Sequence, residues 1–108
     1  MTTGNLLQVQ TAAPSQGHAV ELAVSATKRG LVAGCQISGP IQTVFWHAGE
    51  FGEGEEWVVS FKTTAARYDE LEAHLIEHHE WQNPEVTAVP IARASAAYVE
   101  WVERVTAK

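Results

Sequence analysis

GPIQTVFWHAGEFGEGEEWVVSFKT, residues 39–63, decides the fold. Its last seven residues, WVVSFKT (57–63), set Trp57, Val59 and Phe61 against Val58, Ser60 and Lys62, the two-residue period of a strand with one buried face. An extended stretch from Leu31 to His47 leads towards it, interrupted at Gly39 and Pro40, where a permissive glycine and a missing amide predict a bulge or bend. AGEFGEGEE, between the two, reads as a glycine-rich turn, so the strands are expected to form a long hairpin. Such a hairpin leaves backbone amides and carbonyls unpaired at a sheet edge, which soluble proteins cover or pair with another chain. An oligomer is therefore expected.

Outward from the hairpin, LLQVQT (6–11) alternates as a half-buried strand, and after Pro14 and Ser15 the residues Ala19, Leu22, Ala23 and Ala26 recur at helical spacing. Lys28, Arg29 and Gly30 supply that helix with an ending. Beyond the hairpin, Thr64 can cap a second helix with Tyr68, Leu71 and Leu75 on one stripe, ending at His78 and His79. EVTAVPI (85–91) reads as a strand, and Ser95 precedes Tyr98, Trp101, Val102 and Val105, spaced as an amphipathic helix. The order is βαββαβα. Its first six elements match an α+β, ferredoxin-like βαββαβ sandwich, a four-stranded antiparallel sheet with two helices on one face, followed by an extra C-terminal helix.

The 108 residues make one domain, 1–108, with a single core. Thirteen acidic residues against seven Lys and Arg, a formal charge of −6, exclude a phosphate-tracking surface, so no nucleic acid partner is expected. The apolar runs fall short of the roughly 20 residues of a membrane span, and no signal peptide is read at the N-terminus; the expectation is a cytoplasmic protein without membrane contact. The single cysteine, Cys35, has no intramolecular disulfide partner. Four tryptophans (46, 57, 81 and 101) are more than so small a core encloses, placing some in a cleft or interface.

The chemistry-bearing stretch is HHEWQNPE, 78–85, where a turn carries two histidines, acids, amides and a tryptophan. His74 and His78, four apart on the second helix, can share a metal ion from one face, although solvated residues at a helix end are the simpler reading. Glu50, Glu53, Glu55 and Glu56 crowd the hairpin tip without a calcium-loop pattern, and Cys35 is expected in a central strand as a small buried hydrophobe. Tyr98 and Trp101, with Trp81, could wall a pocket near His79 and Glu85; the plainer reading has Trp101 facing the core, with Tyr98 open between the two. No glycine-rich phosphate loop, serine elbow or paired catalytic acids can be named, so no enzymatic activity is expected.

GPIQTVFWHAGE (39–50), Lys62 and Thr63, HHEWQNPEVTAVPI (78–91), and Tyr98 with Trp101 together resemble the CutA family of divalent-cation tolerance proteins, from Leu7 to Val105. The resemblance implies a ferredoxin-like protomer in a homotrimer, similar in architecture to the PII signalling proteins, and an association with tolerance to copper and other divalent ions. Departures matter too. The family cysteine position is occupied by Gly34, and Cys35, one residue later, faces the other side of its strand, so copper ligation by this thiol does not carry over. The family's His-Pro-Tyr reads His79, Glu80, Trp81, and its Gly-Lys-hydrophobic-Glu tip reads Gly49, Glu50, Phe51, Gly52. Matching positions give Lys62, Trp81, Glu85 and Tyr98 as cleft residues between subunits. His79 with Glu80, helped by His78, is the expected site for copper or zinc, since imidazole and carboxylate suit these ions without thiolate. The alternatives are a PII-like signalling module taking a small anionic effector near Lys62, and a purely structural trimer.

Overall fold

Backbone pairing in the computed structural model, which describes residues 5–107, is organised around β1 (Leu6–Ala13). β1 pairs antiparallel with β3 (Glu50–Thr64) on one side and with β4 (Thr87–Pro90) on the other, and β2 (Gly34–His47) adds to the far side of β3. The strand order is β2-β3-β1-β4. Because paired residues share a face, the register sorts the sheet into two surfaces. Val9, Thr11 and Ala13 lie with Phe61 and Val59 on one; Gln8, Gln10 and Ala12 lie with Lys62, Ser60 and Val58 on the other.

The first surface carries the main core. α1 (Gln16–Lys28) begins where the Ser15 hydroxyl accepts the His18 amide at 3.2 Å, and it buries His18, Ala19, Leu22, Ala23 and Ala26. It ends at Gly30, whose φ of 70° suits glycine and brings the Leu31 amide onto the Ala26 carbonyl, the 6→1 bond of a Schellman ending. α2 (Tyr68–His78) follows a short 3-10 turn, Ala65–Arg67, and buries Leu71, His74 and Leu75. Thr64 occupies the cap position of that turn without a side-chain cap bond. Phe61, Leu22, Leu71 and Leu75 are fully buried in this layer, each contributing about 1.5–3 kcal/mol.

The second surface is covered only at one end. α3 (Ala96–Thr106), capped by the Ser95 hydroxyl on the Tyr98 amide, packs Val99 and Val102 against Leu6 and Ala33, with Trp101 alongside. The buried residues of α3 are Val99, Val102 and Thr106, whereas Tyr98 and Val105 lie exposed, so the expected stripe is rotated by about one residue. Both stripes satisfy helical periodicity through Val102, and the docking angle on the sheet chooses between them.

Two expectations about the hairpin are corrected. The turn is only Ala48 and Gly49, both with positive φ (51° and 81°) as a type I′ turn requires; AGEFGEGEE is otherwise strand, with Glu50–Glu56 paired to Ile41–His47. Glycine and glutamate are poor strand formers, yet Gly52 sits beneath its cross-strand partner Phe45, where a Cβ would lie 2.5 Å from the ring. The expected bulge does fall between Ser38 and Ile41, and there Gly39 lies so close to the Trp57 ring that a Cβ would meet it at 2.6 Å. The second correction concerns β2, which is an edge strand rather than a central one. Cys35 is accordingly half-buried on the helix-covered face, its Sγ 3.6 Å from Thr27 Oγ1.

A left-handed Ala48 carries a Cβ penalty of about 1 kcal/mol or more. Ala48→Asn, which keeps the turn and tolerates that conformation, is expected to raise stability by about 1 kcal/mol in urea unfolding; an unchanged midpoint would contradict the turn geometry.

Candidate functional site

His79 is the hinge between α2 and the loop that follows. Its backbone leaves the helix in extended conformation (φ −79°, ψ 144°), which turns the side chain back across the sheet. β4 stops opposite Gln10, and beyond it the His79 Nε2–H donates to the Ala12 carbonyl at 2.7 Å. That donation fixes the tautomer, leaving the Nδ1 lone pair to accept the Trp81 amide at 3.0 Å. One residue earlier, the Glu80 amide donates to Nε2 of His18 at 3.2 Å. Two consecutive loop amides are thus received by two imidazoles, whose rings meet edge to face at 5.1 Å. The Trp81 ring lies over His79 at 5.2 Å.

His18 is the member that reading the sequence missed. It is 7 % exposed in the first turn of α1, where its Nε2 accepts the Glu80 amide. Nothing local reveals that its partner lies 62 residues away.

The expected metal set is only partly assembled within the chain. His78 turns from His79 and bonds through Nδ1 to the His74 carbonyl at 2.8 Å, while Glu80 is exposed. Among the described residues, no group of three or more His, Cys, Asp or Glu side chains is placed to hold a metal ion. The His74–His78 pair does share a helix face, with ring centroids 4.2 Å apart, yet His74 is not a solvated residue. It is 4 % exposed; Arg29 donates to its Nδ1 at 3.2 Å, so its Nε2–H donates to Ser25 Oγ at 2.7 Å. Both nitrogens are spent on joining α1 to α2. The tip glutamates do not converge either: Glu53 and Glu55 pair with Val44 and Gln42 on one face of the ribbon, while Glu50 and Glu56 pair with His47 and Ile41 on the other.

The cleft residues fall into two groups. The Glu85 carboxylate accepts from Gln10 Nε2 at 3.2 Å and from Thr87 Oγ1 at 2.9 Å on the open sheet surface, which Lys62 shares. Burial, and then the Glu85 charge, push the Glu56 carboxyl above its usual range. Tyr98 instead packs on Trp101 at 5.5 Å, close to the Leu6 end of β1, whereas His79 and Trp81 sit at the Ala12 end, roughly 20 Å away along the strand. Within one chain, Tyr98 and Trp101 therefore do not wall a pocket with Trp81 and His79.

Burial lowers the pKa of His79, with the Ala12 hydrogen bond opposing and His18 reinforcing; burial likewise lowers that of His74, reinforced by His78 and Arg29 against Glu77. Both imidazoles are thus held neutral in the fold more firmly than in the unfolded chain. Stability is complete above the ordinary value of 6.5 and is lost as pH falls through it towards the lower folded values, because the unfolded chain takes up these protons first. The urea midpoint should accordingly drop between about pH 7.5 and pH 5.5, and the drop should shrink in His74→Gln. An equal midpoint at both pH values would refute this.

The model of the CutA1 divalent ion tolerance protein family matches residues 7–105. Protein CutA 1, chloroplastic, of Oryza sativa subsp. japonica is 30% identical over 105 residues, covering 97% of this chain and 59% of the relative, so the chain spans little more than half of that protein. The divalent-cation tolerance protein CutA of Thermotoga maritima is 25% identical over 97 residues, covering 90% of this chain and 95% of the relative. Among solved structures, CutA1 from Oryza sativa superposes with a TM-score of 0.92 at 30% identity, covering 98% of this chain and 97% of that one. CutA from Synechococcus elongatus PCC7942 gives 0.94 at 29%, covering 99% and 95%. The α+β sheet with three helices agrees with these structures, and with the family model matching nearly the whole length, the chain belongs to the CutA1 divalent ion tolerance protein family.

Proposed function

We propose that this chain is a non-enzymatic, cytoplasmic divalent-cation tolerance protein that works as a homotrimer and takes up copper or zinc at the His79 loop. The observation that carries the trimer is the outer half of the β2–β3 ribbon. β1 reaches along β3 only to Trp57, so Ile41–His47 and Glu50–Glu56 pair with each other alone. The ribbon gives the molecule a longest dimension of 45 Å against 25 and 21 Å. Val44, Phe45, Trp46 and Phe51 are exposed on it, Trp46 to 76 %. Free strand edges beside exposed aromatics invite strand addition, and a further copy of the same ribbon satisfies both. The β2-β3-β1-β4 order supports the ferredoxin-like reading of each protomer.

In such an assembly, Lys62 and Glu85 on the open sheet surface, Tyr98 and Trp81 would face clefts between subunits. For the ion, the support is the tautomer of His79: donation of Nε2–H to a carbonyl is the usual outer support of a ligating imidazole, and it leaves Nδ1 to bind. Glu80 adds a neighbouring carboxylate, and His78 keeps Nε2 for a ligand. The free Cys35 thiol is compatible with a reducing compartment.

Sedimentation equilibrium is expected to give three times the 11.8 kDa chain mass at micromolar concentration, and Trp46→Ser with Phe51→Ser to lower it. Calorimetric titration with copper and zinc is expected to show binding that His79→Ala weakens by at least about tenfold. A folded 11.8 kDa monomer would dismiss the assembly; equal binding by wild type and His79→Ala would dismiss the site.

A further inference from the structure

A cavity of about 350 Å³ opens where the turn after β3 meets the last turn of α3. Thr64, Ala66 and Arg67 line one side of it, and Glu103, Thr106 and Ala107 the other. Thr64 pairs with Leu6, so the cavity lies at the end of β1 away from the His79 loop, which is held at Ala12. The same pairing turns the Thr64 side chain to the face that α3 covers. Thr64 is only 8 % exposed, yet its hydroxyl neither caps the turn that follows nor bonds any described residue. The hydroxyl of its neighbour Thr63, by contrast, donates to the Leu31 carbonyl at 2.6 Å. A hydroxyl withdrawn from water without a partner is costly, and this one faces open space.

Arg67 supplies the cation. Its side chain is 13 % exposed and fixed at two points, Nε donating to the Thr106 carbonyl at 2.8 Å and Nη1 to Glu70 at 3.1 Å. Both N–H bonds of Nη2 are left without a partner among the described residues. Across the cavity stand the exposed Glu103 carboxylate and the end of α3, whose last carbonyls carry the negative end of the helix dipole. Donors thus occupy one wall and acceptors the other. We infer that this cavity binds a small zwitterionic α-amino acid, its carboxylate on the Thr64 hydroxyl and Arg67 Nη2 and its ammonium on Glu103 and the carbonyl end of α3. A carboxylate by itself would meet the Glu103 charge, and an ammonium by itself the guanidinium; only a ligand with both groups satisfies both walls. The remaining lining, Ala66 and Ala107, offers no polar side chain and suits a short ligand side chain.

The test is a titration of the full chain, labelled with nitrogen-15, with L-alanine and L-serine, and separately with acetate and with methylammonium as the two half-ligands. The Arg67 Nε–H resonance, which reports the bond to Thr106, is followed by nuclear magnetic resonance. A saturable shift with the amino acids is expected, and a far weaker response to either half-ligand. Thr64→Val keeps the shape of the buried side chain and is expected to weaken alanine binding by about tenfold. Glu103→Gln, at an exposed position where packing is unaffected, is expected to weaken alanine by about threefold and to strengthen acetate. Absence of saturable binding by either amino acid, acetate binding as tightly as alanine, or unchanged affinity in both variants would each overturn the inference. The His79 loop plays no part in this readout, so the proposed ion uptake stands or falls separately.

Discussion

Pairing of β1 on both edges, with one face covered by α1 and α2 and the other only at its Leu6 end by α3, is the constraint from which the remaining structure follows. Through the β1–β3 register, Val9, Thr11 and Ala13 are turned into the layer of α1 and α2, and Leu6 is turned under α3. The same register leaves Gln8, Gln10, Ser60 and Lys62 on the open surface, together with Glu85. A slip of one residue would exchange the two sets, burying glutamines and a lysine in place of valine and phenylalanine. Where β4 stops short, the Ala12 carbonyl takes the His79 imidazole, so the strand that builds the core also anchors the candidate site.

Histidine does most of the long-range joining. His74 ties α2 to α1 through Ser25 and Arg29, and His18 and His79 tie the following loop to α1 and β1. His74 and His79 each use one ring nitrogen as donor and the other as acceptor, and His18 accepts through Nε2, so a hydroxyl, a guanidinium, a carbonyl and two amides are paired by imidazoles. His79 thereby has one nitrogen locked by the Ala12 carbonyl, the outer support that ligating imidazoles also have, while the other accepts the Trp81 amide. Structural joint and ligand candidate are here two uses of one arrangement.

The hairpin shows where sequence patterns mislead and why. Alternation in WVVSFKT and in LLQVQT identified the inner strands, because burial on one face writes a two-residue period. No such period marks Glu50–Glu56, a ribbon with no core beneath it, and composition there resembled a loop; cross-strand contacts such as Phe45 over Gly52 hold it extended. Cys35 was misplaced for a related reason, since strand order is a property of pairing that no single segment carries. The stripe on α3 was off by one residue because a helix touching one end of a sheet buries less than its full apolar face.

The chain alone determined the order of elements and the bulge at Gly39 and Pro40, since each depends on neighbours within a few residues. Tertiary structure decided that His79 reaches Ala12, that His18 meets Glu80, that His74 is buried between helices, and that Tyr98 and Trp81 lie at opposite ends of β1. Local periodicity reports which face of an element is apolar; the partner that a polar side chain finds 60 residues away is chosen only when packing closes the distance, and its tautomer only when that partner is in place.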